Sequence, residues 1–222
     1  MNVVITGGNR GLGLGFTQHY LAQGDHVWAC YRHDLGGLAD LQSPMLTKVQ
    51  LDVTQQFSDA SAFPDKIDLL INNAGIYGPG KDGQSLGLVT AEVMLDVFEV
   101  DCVGPLRVVQ LLQDKVIKAK GRIVNVSSKM GSSTDNSSGG TYAYRAAKAA
   151  LVTVSKSMAI DLSPTGVRVI TLHPGWVATD MTGQTGLIDV ATSVAGMTHV
   201  IENIGDYEAG AFVAYDGNIV PY

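Results

Sequence analysis

Short runs of β-branched and apolar residues alternate along the chain with longer stretches in which apolar positions recur every three or four residues. The short runs are Val3–Thr6, Val27–Tyr31, Lys48–Leu51, Ile67–Ile71, Arg122–Val126, Arg168–Leu172 and Ala211–Ala214. They are apolar nearly throughout, the pattern of strands covered on both faces. The longer stretches predict helices over Leu12–Gln23, Ala91–Val100, Pro105–Ala119, Tyr142–Leu162 and Val190–Asn203. Strand and helix in strict turn imply crossover units. The expected fold class is α/β, a single doubly wound parallel sheet of about seven strands with helices on both faces.

Composition narrows this only a little. At 222 residues the chain suits one domain spanning 1–222. Hydrophobic residues make up 45% and charged residues 16%, a globular balance. The net charge is −6 and no basic run occurs, which argues against nucleic acid as a partner. No apolar run reaches membrane-spanning length, so no membrane partner is expected. The N-terminus enters the first strand without a basic lead or cleavage signal. Cys30 and Cys102 lack partner spacing and read as buried free thiols. A cytoplasmic location is the expectation. The histidines are scattered and no set of residues has metal-ligand spacing, so no metal is expected.

The polar positions that stand out lie on the fourth helical stretch. Tyr144 and Lys148 are four residues apart, one above the other on one helix face. A free phenol has a pKa of about 10 and serves poorly as an acid or base near neutrality. A neighbouring ammonium favours the phenolate, so Lys148 is expected to bring Tyr144 toward the working range. Before this helix, 132–140 is a polar loop rich in Ser and Gly.

A second unusual segment, Thr6-Gly7-Gly8-Asn9-Arg10-Gly11-Leu12-Gly13, joins the first strand to the first helix. Glycines there let backbone approach a pyrophosphate, and a helix N-terminus favours its charge. The flanking strands and helix turn a weak glycine pattern into a dinucleotide site, with Gly7, Asn9, Arg10, Gly11, Leu12 and Gly13 as candidate contacts. The second strand ends in Arg32 where an acid would bond the 2′-hydroxyl of NAD. Arg10 and Arg32 together could clamp a 2′-phosphate, which favours NADP(H) as cofactor.

These residues resemble the short-chain dehydrogenase/reductase family over almost the whole chain, and with it a Rossmann-type fold. Leu51-Asp52-Val53 is similar to the family's adenine-contacting segment, and Asn72-Asn73-Ala74-Gly75 to the signature after its fourth strand. Asn125-Val126-Ser127-Ser128 matches the serine-bearing strand, and Pro174-Gly175-Trp176-Val177-Ala178-Thr179 the segment whose threonine meets the nicotinamide. Within the family, Met130-Gly131-Ser132, Leu172-His173-Pro174 and the ending Tyr215-Asp216-Gly217-Asn218-Ile219-Val220-Pro221 resemble the C-factor and Sniffer-like carbonyl reductases. The resemblance implies cofactor contacts at Asp52, Val53, Asn73, Ala74, Gly75, Pro174, Gly175, Val177 and Thr179, besides Tyr144 and Lys148. It also implies a catalytic set of Asn, Ser, Tyr and Lys. Ser128 is preferred to Ser127, because Ser128-Lys129-Met130-Gly131 fits the family's Ser-x-x-Gly. The fourth member departs: Asp101 stands where the family usually has Asn. Either Asp101 alters the pH dependence of a proton relay to Lys148, or it is a structural change without kinetic effect.

The implied activity is NADPH-dependent reduction of an aldehyde or ketone to an alcohol. Ser128 stabilises charge on the oxygen, Tyr144 donates the proton, and Lys148 lowers the Tyr144 pKa. Tyr77, Trp176, Met181 and Leu187 are candidate walls for the carbonyl or alcohol substrate. A different class of function stays open, an NADP(H)-binding signalling or redox-sensing protein with little turnover. A second apolar set on the Tyr142–Leu162 stretch (Ala149, Val152, Ala159, Ile160) and the apolar Pro105–Ala119 stretch suggest a homodimer or homotetramer.

Overall fold

The apolar runs pair as strands β1 (Asn2–Ile5), β2 (His26–Tyr31), β3 (Leu46–Gln50), β4 (Leu69–Asn72), β5 (Arg122–Val126), β6 (Arg168–His173) and β7 (Phe212–Ala214). The computed structural model describes residues 1–56 and 59–222. Its 7-stranded sheet runs β3-β2-β1-β4-β5-β6-β7, with every neighbouring pair parallel. The helices between them are α1 (Gly11–Ala22), α2 (Ala91–Phe98), α3 (Gly104–Ala119), α4 (Tyr142–Leu162) and α5 (Val190–Glu202). This is the doubly wound, Rossmann-type α/β architecture that the alternation implies.

Side chains alternate across each strand, and this splits the interior into two cores. Val3 and Ile5 face Phe16 and Tyr20 of α1 and Met197 and Ile201 of α5. Val4 faces the other way, toward Val108, Leu112 and Val116 of α3 and Met158 of α4. All of these lie buried. The chain fills one side of β1 with β2 and β3, then crosses to place β4 on the other. That reversal opens a crevice at the C-terminal ends of β1 and β4, where open sheets of this kind bind ligands.

Two local readings shift. Leu46 and Thr47 extend β3 at its start, while Ile67 precedes β4 and gives its N–H to the Lys115 carbonyl. The expected separate helices 91–100 and 105–119 are instead joined by a π-helical turn, Glu99–Val103. Pro105 has no N–H to offer the carbonyl four residues back, which is that of Asp101. Gly104 lets this turn lie close to Val53, whose Cγ2 would be 2.9 Å from an added Cβ. Much of the second apolar set on α4 is used within the chain. Val152 packs with Phe212 and Val220, and Ala159 joins the α3 side core, whereas Ile160 is exposed. No described helix is long and apolar enough to cross a membrane. Cys30 and Cys102 are buried free thiols.

Candidate active site

A cleft of about 840 Å³ runs along the C-terminal ends of the strands, from the turn after β1 to the start of α4. At one end the groups on offer are backbone. Gly7 adopts φ +63, and an added Cβ would lie 3.0 Å from Ala74 Cα. A Cβ on Gly13 would collide with the Gly7 carbonyl oxygen. The Thr6 hydroxyl accepts the N–H groups of Asn73 and Ala74, both at 3.0 Å, and the Asn73 amide donates to the Thr6 and Gly7 carbonyls, each at 3.1 Å. The turns after β1 and β4 are thus locked together. α1 begins here with no side-chain cap and no acid in its first turn. Its first N–H groups and the positive end of its dipole are left for an anion.

Arg10 and Arg32 flank this end of the cleft, both exposed, and neither makes an ion pair among the described residues. Asp52 also lines it. Burial opposes ionisation of its carboxyl, but hydrogen bonds from the Thr54 N–H and hydroxyl, with the nearby Arg32 and His33, hold it below the usual carboxylate range.

At the other end the groups are side chains. Tyr144 is 8% exposed and Lys148 5%. The ammonium lies 5.6 Å from the Tyr144 ring centroid and donates to the Val126 carbonyl at 3.1 Å. Ser128 starts a tight turn at the end of β5, its hydroxyl accepting the Met130 N–H at 3.2 Å. Gly131 closes that turn against α4, where a Cβ would sit 2.7 Å from the Lys148 carbonyl carbon. The contact leaves no room for a side chain at the glycine of Ser128-Lys129-Met130-Gly131. Ser127 turns away, buried, and donates to the Lys148 carbonyl at 2.9 Å. Lys148 draws the Tyr144 pKa down, as its spacing implies, but not into the working range, because burial outweighs it. Burial raises the pKa; Lys148 pulls it down, Asp101 pushes it up, and the neighbouring Ser128 hydroxyl pulls it down; the outcome is above the ordinary phenol value. Asp101 is fully buried beside Lys148.

Three kinds of similarity bear on this geometry. The short chain dehydrogenase family profile matches residues 1–189. The chain belongs to that family. C-signal of Myxococcus xanthus is 41% identical over 157 residues, covering 70% of this chain and 93% of that protein. Among solved structures, the carbonyl reductase Sniffer of D. melanogaster superposes with a TM-score of 0.92 at 31% identity, covering 100% of this chain and 99% of the other. An NADPH-bound carbonyl reductase from chicken fatty liver superposes with a TM-score of 0.89 at 31% identity, covering 100% and 98%.

As a short chain dehydrogenase, the chain gathers most of the residues singled out from sequence. Gly7, Asn9, Arg10, Gly11, Leu12, Arg32, Asp52, Val53, Asn73, Ala74, Gly75, Tyr144, Lys148, Pro174 and Thr179 line one cleft. Gly13, Asp101, Ser128, Gly175 and Val177 do not line it: Gly13 and Asp101 lie behind the lining, against the Gly7 carbonyl and Lys148, Gly175 packs against Tyr215, and the buried Val177 bridges to Ile188. Of the candidate walls, Tyr77 and Met181 line the cleft; Trp176 and Leu187 are exposed outside its lining. Asn9 bonds the Asp34 carbonyl at 3.0 Å and so also braces the loop after β2. Among the described residues no cluster of His, Cys, Asp or Glu is placed to hold a metal ion.

Three polar residues have roles that the sequence did not assign them. Gln84 is fully buried, accepts the Tyr144 N–H at 3.0 Å and donates to the Tyr77 and Pro79 carbonyls, both at 2.8 Å. It caps α4 in place of Thr141, whose backbone is left-handed and whose side chain makes no cap. Asn125 links β4 to α4, accepting from Asn72 and donating to Ser155, both at 2.8 Å. His173 Nδ1 accepts the Lys129 N–H at 3.2 Å, which fixes the turn after Ser128. Burial, helped by Lys129, pushes the His173 pKa down to about 4, which suits an acceptor. A Gln within a loop carries no local pattern, and His173 reads only as part of a strand end.

Proposed function

We propose that this short chain dehydrogenase is an NADP(H)-dependent oxidoreductase that reduces an aldehyde or ketone to an alcohol, the whole chain serving as one cofactor-binding domain. The observation that carries the reading is a single cleft with the glycine turn at one end and Tyr144 and Lys148 at the other, beside Ser128. The residues fit the dinucleotide. The bare first turn of α1 and the closely approaching backbone at Gly7 and Gly13 suit a pyrophosphate. Arg10 and Arg32, free of ion pairs among the described residues, suit a 2′-phosphate. The NADPH-bound chicken reductase and a Pseudomonas aeruginosa carbonyl reductase in complex with NADP, 30% identical with a TM-score of 0.82, point the same way.

The bound dinucleotide would supply the hydride that reduces the carbonyl carbon. Ser128 donates a hydrogen bond to the carbonyl oxygen as negative charge builds there. Tyr144 breaks its O–H bond and passes the proton to that oxygen as general acid. Lys148 stabilises the tyrosinate left behind. The Val126 carbonyl and Asp101 hold the ammonium in place. In reverse the tyrosinate takes the alcohol proton. Tyr77, its ring centroid 5.0 Å from that of Tyr144, and Met181 border the space where a small substrate would lie. Assembly as a homodimer or homotetramer belongs to the same proposal, with exposed Ile160 on α4 as one contact.

NADPH oxidation measured against a panel of aldehydes, ketones and diketones tests the reading. Turnover with at least one class is expected, and it should be lost in Tyr144→Phe. A second reading rests on the 41% identity to C-signal, a protein whose name denotes a signal. In it the chain binds NADP(H) with little turnover. Tight NADPH binding with no turnover on any carbonyl would favour that reading.

A further inference from the structure

Where the family usually carries Asn, Asp101 faces the lysine directly. Asp101 Oδ2 lies 3.2 Å from Lys148 Nζ, and the carboxylate is fully buried. Its Oδ1 accepts the Ile76 N–H at 2.8 Å, so the group is fixed from the loop after β4 as well as from the π-turn. Apart from the Lys148 ammonium it faces, Oδ2 has no donor among the described residues. Gly75 roofs the pair so closely that a Cβ there would lie 3.2 Å from Asp101 Oδ1 and 3.3 Å from Lys148 Nζ.

The charge arrangement has a direct consequence for Tyr144. A lone buried ammonium near the ring would favour the phenolate strongly. Paired with a carboxylate at 3.2 Å, it acts as a dipole, whose field falls off faster than that of a single charge. The titratable groups acting on Tyr144 are Lys148 from its own helix, Asp101 from the π-turn and Tyr77 from the loop after β4; the neighbouring Ser128 hydroxyl also favours the phenolate. Lys148 faces Tyr144, Asp101 and Cys102. Burial disfavours its charge, but Asp101 with the other two more than offsets this, so the ammonium holds its proton firmly.

We infer that Asp101 is a positioning residue that clamps Lys148 and, by compensating its charge, keeps the proton on Tyr144 further into the alkaline range. The kinetic side of this inference rests on Tyr144 being the proton donor of the proposed reaction; the electrostatic side does not. The carbonyl–alcohol equilibrium is unchanged, since the reactants set it. What moves is the pH range of each direction. Reduction persists to higher pH, and oxidation through tyrosinate starts at higher pH.

Asp101→Asn keeps the size of the side chain and its acceptor for Ile76 while removing the charge. Tyrosinate absorbance near 295 nm is followed against pH in wild type and Asp101→Asn, each minus its Tyr144→Phe counterpart. The Tyr144 step is expected to move down by about one pH unit or more in Asp101→Asn. With an active substrate, the falling alkaline limb of kcat/KM for reduction and the rising limb for oxidation should move down in pH together, giving about tenfold faster oxidation at a pH on the rising limb. An unmoved step, including no step in either protein, overturns the inference, as do unmoved limbs. If no carbonyl is turned over, the proposed reaction fails while the absorbance step still decides the role of Asp101.

Discussion

At the β1 end of the cleft the recognition groups are backbone N–H groups and missing Cβ atoms; at the α4 end they are buried side chains acting on one another's charge. The first end is held by short hydrogen bonds between turns, Thr6 to Asn73 and Ala74, and its two arginines are free in solvent. The second end buries Tyr144, Lys148 and Asp101 together; Tyr144 and Lys148 each feel the other two, and burial raises the Asp101 pKa against the pull of Lys148. A backbone site tolerates no added volume and is indifferent to pH. A buried side-chain site tolerates conservative volume and is sensitive to every charge. The two ends should therefore fail in different ways.

The largest effect should come from Tyr144→Phe, which removes the proton and little else. A loss in kcat of about 10²- to 10⁴-fold is expected. NADPH affinity, measured by fluorescence titration, should stay within about threefold, because tyrosine contributes little at the phosphate end. A large loss of affinity would break the separation between the two ends. Gly13→Ala should do the reverse. Its Cβ has no room beside the Gly7 carbonyl, so the turn must shift, at a cost of about 1–3 kcal/mol in binding or folding. NADPH binding should weaken by about 10- to 100-fold while the Tyr144 titration step stays in place.

The arginines sharpen the comparison further. Replacing Arg10 and Arg32 by Ala should cut the preference for NADPH over NADH by about 10-fold or more, since charge-assisted bonds to phosphate contribute about 1.5–3 kcal/mol. Because both are exposed, the preference in the unaltered protein should also weaken as salt is raised. Equal affinity for NAD(H) and NADP(H) in the unaltered protein would sink the assignment of a 2′-phosphate to these two residues.

The smallest expected effect concerns His173. Its folded pKa of about 4 lies below the ordinary 6.5, so between those values the unfolded chain binds the extra proton. Stability from this group is fully present above pH 6.5 and is lost as pH falls toward 4. The loss should be on the order of 2 kcal/mol, discounted for partial exposure. Urea unfolding at several pH values should find His173→Asn, which keeps an acceptor for Lys129, less sensitive over that window. An identical pH slope in both proteins would remove His173 from the account.

The sheet and its helices were readable because each strand is an uninterrupted apolar run and each helix repeats its apolar positions with a fixed period. All seven expected strands pair, and each expected helix forms, with ends shifted by a few residues. The glycine turn and the Tyr144–Lys148 spacing were readable for the same reason: both are local, carried by neighbours in the chain. Contacts between distant segments left no such trace. The π-turn that joins α2 to α3, the cap that Gln84 gives Tyr144 from 60 positions away, and the His173 bond to the turn after Ser128 depend on how separate elements meet. The sign of the Tyr144 pKa shift is the sharpest case. From spacing alone only Lys148 counts, because it is one turn away; burial and Asp101 enter only when the helices and sheet close around them. Periodicity and short-range spacing determine the scaffold and the cast of residues. Electrostatics sums over everything nearby in space, so the tertiary structure alone decides how those residues hold their protons.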